Sequence, residues 1–440
     1  MKCMKMKFEK MGINGEGIGY QDRFPVFCDG VLPHETAEIE ITMERDTYAK
    51  ARPVKILKKS SDRVESPCPY QDICGGCPLM IMNYKSQLYN KKLLMEEALF
   101  KYAHVKRNLI REMHGSEQVT GYRSQCKLPV EMSNNLLTAG MYTSYTNHYK
   151  PIKECLVHTP LLEKAKRQVI YLLNEEKYQA YDSKKRKGLR YLVMRELQGF
   201  IQCTLVTGNE TIPDTLVEKL MEISGMHSLF QSVNTEKDGF NIFGSNTKKL
   251  AGANTTPVTI NGIKLRLSPQ SFFQLNIPQA EKLYEMAVSK IDPCDVLVEA
   301  YCGVGAMSLL AKDKAKEIYG IENVRDAIRN CEENAKINHI ENTSFILDDA
   351  ANGLLKIGMR KQVDTLLLDP PRSGMDENMI EAVKRVLPKK IIYVSCNPAT
   401  LAKNIRALKK DYNVATIIPF DLFPNTAQVE SVTVLERYKK

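Results

Sequence analysis

DVLVEAYCGVGAMSLL, residues 295–310, starts as an apolar strand, breaks at a Gly-x-Gly turn and continues as a helix. Glycines there let the backbone approach a ligand closely, at the amide-rich start of a helix. The third glycine of a dinucleotide-binding turn is missing, because Ser308 stands in its place, so a pyrophosphate cofactor is disfavoured. Nineteen residues past Gly303, Glu322 closes the apolar stretch EIYGIE, where a carboxylate can take two ribose hydroxyls. This combination fits S-adenosylmethionine. The plainer reading is a tight turn followed by a surface acid.

On either side of this stretch, apolar strands alternate with helices. Upstream, Ile277, Ala280, Leu283, Tyr284, Ala287, Val288 and Ile291 keep the spacing of an amphipathic helix, with Asn276 as its cap. Downstream come SFILDD, VDTLLLDPP, a helix near 379–386, KIIYVSC, a helix at 398–408, VATIIPF and VESVTVLERY. The fold class is therefore α/β, a Rossmann-like doubly wound sheet over residues 263–440, with ligands expected beyond the carboxyl ends of its strands. Residues 1–64 read as short strands ending in a basic stretch, a small OB-like β-barrel of the kind that grips nucleic acid. Residues 65–262 form a central α+β part whose topology the pattern leaves open.

With 62 Lys plus Arg against 52 Asp plus Glu, the net charge of +10 suits a polyanionic partner. The basic residues cluster at Lys50, Arg52, Lys55, Lys58, Lys59 and Arg63, and again at Lys184–Lys187 and Arg190; a solvated face is the simpler account of such runs. No apolar run is long enough for a membrane span and no signal peptide is visible, so a cytoplasmic protein without membrane or DNA partners is expected.

In LLLDPPR, residues 366–372, two prolines stiffen the chain and aim the Asp369 carboxylate. Amino-group methyltransferases carry an aromatic ring at the end of a similar motif; Arg372 stands there, which argues against an exocyclic amine as target. Cys396 ends the strand KIIYVSC. Most strand cysteines are core thiols, but the helix after Pro398 offers a positive end that favours thiolate. A thiolate beside a methyl donor has a clear use on a pyrimidine: addition at C6 makes C5 nucleophilic, and a base then removes the C5 proton. Glu430, in DLFPNTAQVESV, is the candidate base; no histidine follows His339. Cys68, Cys74 and Cys77 are spaced for a metal, with Cys155 or Cys126 as a fourth ligand, and four thiolates suit zinc or an iron–sulfur cluster.

Together CPYQDICGGC, SFFQLN, YCGVG, DPPR, SCNPATLAKNI and FPNTAQVE closely resemble the RNA uracil-5-methyltransferase family, in its bacterial ribosomal-RNA branch with an iron–sulfur cluster. The resemblance implies a TRAM barrel, a central domain with a 4Fe-4S cluster on Cys68, Cys74, Cys77 and Cys155, and a methyltransferase domain. It implies Cys396 as nucleophile and Glu430 as base. Donor contacts fall on Gln274, Tyr301, Gly303, Gly305, Glu322 and Asp369, with Gln274 alternatively at the uracil edge. The implied substrate is uridine of 23S ribosomal RNA, and the implied protein a monomer. Two rivals are the same chemistry on transfer RNA, whose enzymes mostly lack the cysteine cluster, and a non-catalytic RNA-binding protein. The chain departs from the family pattern where Asn425 and Gln428 replace usual histidines and Ala306 a polar residue.

Overall fold

The structure, a computed structural model, describes residues 3–143, 148–236 and 241–438. Five strands, β1 (Cys3–Met11), β2 (Gly17–Gln21), β3 (Phe24–Cys28), β4 (Thr36–Glu44) and β5 (Ala49–Lys58), close into a barrel of order β1-β2-β3-β5-β4. Alternation along β1 sends Met6 and Phe8 inward, where they meet Val26, Cys28, Ala37 and Ile39, while Lys5 and Lys7 face water. Closure leaves the barrel no unpaired edge. One member of the first basic run belongs to this fold rather than to a free surface: Arg63 clasps the buried Glu35 with Nε and Nη2, at 2.6 and 2.7 Å. Burial alone would raise the Glu35 carboxyl, but Arg63 and the Leu32 and Ser60 amides outweigh it and hold it below its ordinary value.

After the barrel come the one-turn helix α1 (Gln71–Cys74) and the long α2 (Tyr84–Ala103), capped by the Asn83 side chain on the Ser86 amide. A seven-stranded sheet of order β12-β11-β10-β9-β6-β7-β8 occupies the middle of the chain. Its strands are β6 (Gln125–Ser133), β7 (Leu136–Tyr142), β8 (Tyr149–Pro151), β9 (Leu189–Leu197), β10 (Phe200–Thr207), β11 (Met226–Val233) and β12 (Asn246–Gly252). Helices α3 (Pro160–Glu175) and α4 (Asp214–Met221) share its core: Leu162, Val169, Leu173 and Leu216 lie with Leu192 and Leu205. The hairpin β13 (Thr256–Ile260) and β14 (Ile263–Leu267) leads to α5 (Ile277–Ser289), where the Asn276 side chain accepts from the Gln279 amide as expected.

The remaining elements are β15 (Cys294–Ala300), α6 (Ala306–Leu310), β16 (Ala315–Glu322), α7 (Arg325–Ile337), β17 (Thr343–Leu347), α8 (Ala350–Gly358), β18 (Thr365–Leu368), α9 (Glu377–Val386), β19 (Lys390–Ser395), α10 (Pro398–Leu408), β20 (Tyr412–Phe420) and β21 (Glu430–Arg437). The chain separates into two compact units, one of residues 1–119, 289–300 and 350–440, the other of 120–288 and 301–349. In the first, strands run in the order β15-β18-β19-β21-β20, with β15, β18 and β19 parallel and β21 antiparallel to both its neighbours. In the second, β16 and β17 pair in parallel. The alternation read from sequence is present; the reversed direction of β21 and the helix α8 are additions to it. Among the described residues, no helix is long and apolar enough to cross a membrane.

Within the first unit α2 packs on α10, and its polar side chains reach the loop before β21. The fully buried Lys91 ammonium donates to Asp421 Oδ1 at 2.6 Å and to the Phe423 carbonyl at 3.1 Å; Tyr84 Oη donates to Asp421 Oδ2 at 3.0 Å. Removing one member of a buried pair strands the other charge. Lys91→Met is therefore expected to cost about 3–5 kcal/mol in urea unfolding, and the double variant Lys91→Met, Asp421→Leu to recover much of that loss.

Candidate active site

The register of two antiparallel strands brings the candidate catalytic residues of the first unit together. Ser395, the last residue of β19, pairs with Ser431 of β21, so the next step along each strand sets Cys396 opposite Glu430. Asp369 follows directly on β18, whose Leu368 pairs with Tyr393 of β19. All three residues stand at strand ends, and Cys396 interacts electrostatically with Glu430, Asp369 and Arg372.

The loop holding Asp369 and Arg372 is bolted to α10. Asn397 Nδ2 and Thr400 Oγ1 both donate to the Arg372 carbonyl, at 3.2 and 3.3 Å. Asn404 Oδ1 accepts from the Met375 amide at 2.9 Å and from Tyr393 Oη at 2.8 Å, while its Nδ2 returns a bond to the Met375 carbonyl. Residues 397, 400 and 404 lie on one helical face, a spacing that sequence offers but that acquires meaning only once the loop is placed beside it.

Electrostatics here differs from the sequence expectation. Burial pushes the Cys396 thiol up to about 12, the Glu430 and Asp369 carboxyls add to that, and Arg372 opposes them. The start of α10 does not rescue the thiolate: the Asn397 side chain itself takes the Ala399 amide, at 3.0 Å. Glu430, 5% exposed, is raised to about 8 by burial and by Asp369, with Arg372 pulling the other way. Asp369 keeps an open edge, but the packed protein around it raises it to about 7. The resting site is thus a protonated thiol facing two carboxyls that titrate near neutrality, a range suited to proton transfer.

A cleft of about 920 Å³, lined by Asp292, Cys294, Asp364, Lys389 and Lys390, lies at the amino ends of these strands. Two ion pairs form in it, Lys389–Asp364 at 2.7 Å and Lys390–Asp292. Cys396, Glu430 and Asp369 stand at the opposite end of the sheet.

The second unit holds the glycine turn. Tyr301, Gly303 and Gly305 all have positive φ, 62°, 54° and 79°. The Gly303 amide donates to Glu322 Oε2 at 3.0 Å, and Glu322 Oε1 accepts from the Asn323 and Val324 amides. No atom lies within 4 Å of where a Gly303 Cβ would stand, so the space over the turn is open to a ligand. At Gly305 the same position would be only 3.1 Å from Phe345 and 3.2 Å from Cys331, and Cys331 Sγ donates to the Gly303 carbonyl. This turn fits a donor that brings a ribose to a fixed acid and a backbone cradle. Gln274 is buried, in a segment that Arg195 holds by donating to the Ser271 carbonyl at 2.6 Å. Arg195, pushed down to about 10 by burial, carries no motif and was invisible to sequence reading.

Cys68, Cys74 and Cys77 are partly buried in a tight segment, where Gly75 has φ 66° and Gln71 donates to the Cys77 carbonyl at 3.2 Å. In the second unit, Cys155 lies half-buried beside His158, whose Nδ1 is 2.6 Å from Glu163. Burial would raise the Cys155 thiol, but its hydrogen bond and coulombic contact with His158 bring it below the ordinary value. Cys126 is fully buried and raised to about 12 by that burial, a poor ligand. Among the described residues no three His, Cys, Asp or Glu side chains are gathered into a metal-holding group. Of the basic runs, Arg52, Lys55, Lys58 and Lys184–Lys187 are exposed, whereas Arg190 donates to Asn234 Oδ1 at 3.0 Å.

Residues 253–438 match the family described as tRNA (Uracil-5-)-methyltransferase, and residues 3–54 match the TRAM domain. A Bacillus cereus protein named an uncharacterized RNA methyltransferase is 35% identical over 441 residues, covering 98% of this chain and 95% of its own. A protein of the same description from Caldanaerobacter subterraneus is 35% identical over 442 residues, covering 97% of this chain and 96% of its own. Among solved structures, Pyrococcus abyssi tRNA (uracil-54, C5)-methyltransferase in complex with S-adenosyl-L-homocysteine aligns with a TM-score of 0.77 at 24% identity, over 98% of this chain and 100% of that one. The fold is that of an S-adenosylmethionine-dependent methyltransferase with an N-terminal TRAM barrel.

A thiol this strongly protonated should alkylate slowly. Iodoacetamide labelling of the Cys396 peptide, followed by mass spectrometry at pH 8, is expected to speed up several-fold in Glu430→Gln, because one of the charges that disfavours thiolate is gone. An unchanged or slower rate would contradict this electrostatic picture.

Proposed function

The chain belongs to the RNA uracil-5-methyltransferase family as an S-adenosylmethionine-dependent enzyme, and we propose that it makes 5-methyluridine in 23S ribosomal RNA through a covalent adduct at Cys396. The observation that carries the mechanism is Cys396 set opposite Glu430 by strand register, with Asp369 adjoining. S-adenosylmethionine, when bound, supplies an electrophilic methyl group on a positively charged sulfur. Gly303, Gly305, Tyr301 and Glu322 are assigned to hold it, the Glu322 carboxylate on the ribose, with Gln274 and Asp369 completing the contacts.

In the proposed reaction Cys396 gives its proton to the Asp369 carboxylate as Sγ bonds to C6 of uracil, leaving Glu430 ionised for the later step. The ring then carries a nucleophilic C5, which takes the methyl group. Glu430 removes the C5 proton, the Sγ–C6 bond breaks, the 5,6 double bond is restored and the thiol regains a proton from solvent. The base must leave its stack for C6 to be reached, and the exposed lysines and arginines of β5 and of residues 184–187 are assigned to the flanking phosphates.

We further read Cys68, Cys74, Cys77 and Cys155 as ligands of a 4Fe-4S cluster, supported by the all-thiolate donor set and by the lowered Cys155 thiol. Anaerobically purified protein should carry iron and sulfide; zinc alone would overturn that assignment. In this reading the three parts divide near residues 64 and 262, and the enzyme is a cytoplasmic monomer.

A second reading, the same reaction on transfer RNA, is favoured by the match of residues 253–438 to the tRNA (Uracil-5-)-methyltransferase family. The cysteine set favours ribosomal RNA. Mapping 5-methyluridine in both RNAs, from cells with and without the protein, separates them: loss from 23S RNA is expected, and loss only from transfer RNA would overturn the substrate assignment. A carboxyl raised to about 8 is mostly protonated below that pH and then cannot take a proton. Release of the methylated adduct, followed by rapid quench, should thus slow roughly tenfold per unit as pH falls below 8 and level off above it.

A further inference from the structure

Gln87 lies at the centre of a buried amide network that the reaction scheme leaves unused. It projects from α2, is 2% exposed, and binds two segments far apart in sequence. Its Nε2 donates to the Leu79 carbonyl at 3.0 Å, the Met82 carbonyl at 2.9 Å and Asn425 Oδ1 at 3.0 Å, while its Oε1 accepts from the Asn425 amide at 2.9 Å. Leu79 and Asn425 are also joined directly, the Leu79 amide donating to the Asn425 carbonyl at 3.0 Å. Asn425 has φ 68°, and its Nδ2 donates to the Val119 carbonyl at 2.7 Å. Its side chain is therefore committed to the network, which answers what replaces a histidine there: Asn425 is an anchor, not a proton relay.

Both segments lead to chemistry. Leu79 and Met80 follow the cysteine run, and the Met80 amide donates to the Cys77 carbonyl at 3.1 Å. Asn425 lies in the loop that ends at Glu430, the first residue of β21. Met11, Leu79 and Ala427 share one apolar cluster, and Lys91 and Tyr84 fix Asp421 at the start of the same loop. The amide shared between these segments leaves neither free to shift without breaking buried bonds, each costly when lost.

We propose that Gln87 is a positioning residue that locks the cysteine segment and the Glu430 loop to a single point, so that the order of one sets the placement of the other. This rests on Glu430 being the base that releases the adduct. Displacing a general base by an ångström slows the step it serves and spares the steps before it.

The test compares wild type with Gln87→Leu and with Asn425→Gly, which keeps the positive φ and deletes the anchoring side chain. On RNA containing 5-fluorouridine, where no C5 proton can be removed, both variants should form adduct to the wild-type extent. On ordinary RNA the methylated adduct should persist, with release slowed about 10- to 100-fold. Hydrogen exchange should rise in residues 77–82 and 421–430 together. Wild-type release by folded variants, or a rise in only one segment, overturns the proposal; if Gln87→Leu fails to fold, Asn425→Gly decides alone. A wild-type protein that forms no adduct with 5-fluorouridine overturns the functional reading first, and this inference with it.

Discussion

The proposed site depends on one strand pairing. β21 returns antiparallel beside β19, and the match of Ser395 with Ser431 sets the reactive thiol and the carboxyl of Glu430 across from one another. A slip of one residue would turn Glu430 to the other face of the sheet and separate the pair. Register is secured from both sides: β20 pairs Phe420 with Glu430, and the loop between β20 and β21 is held by Lys91 on Asp421 and by Gln87 on Asn425. Helix α2, far away in sequence, thus helps to hold the loop that leads into Glu430.

The second constraint is dryness. Burial keeps Cys396 protonated and lifts Asp369 and Glu430 toward neutrality, with Arg372 as the opposing charge. A site in this state does not expose a reactive thiolate to oxidants. A cationic methyl donor would favour the ionised forms of all three groups, so in the proposed mechanism arming the nucleophile is linked to the presence of the methyl group.

Much of this was legible in sequence because the elements have short-range signatures. The glycine turn, Glu322 at the end of its strand, the stiff Asp-Pro-Pro and the strand-end cysteine each announce themselves locally, and the structure places them at strand ends as expected. Illegible features depend on partners remote in the chain. Thiolate stabilisation by the helix start looked sound until Asn397 proved to cap that helix and two carboxyls to face the thiol. Arg63 belongs to a basic run most simply read as a solvated face, yet its charge is spent on Glu35. Arg195 and Gln87 carry no motif, and Asn404 shows its role only once the loop beside it is placed; each matters because it meets a carbonyl or amide from a distant segment.

The central claim, that Cys396 attacks the uracil ring and a base must then release it, is tested most directly with RNA bearing 5-fluorouridine at the target. Incubated with donor and protein, it should give a denaturation-stable protein–RNA adduct whose methylated nucleotide is found by mass spectrometry on the Cys396 peptide, and Cys396→Ala should give none. Methyl transfer to RNA with no adduct, or an adduct on any other cysteine, would contradict the account.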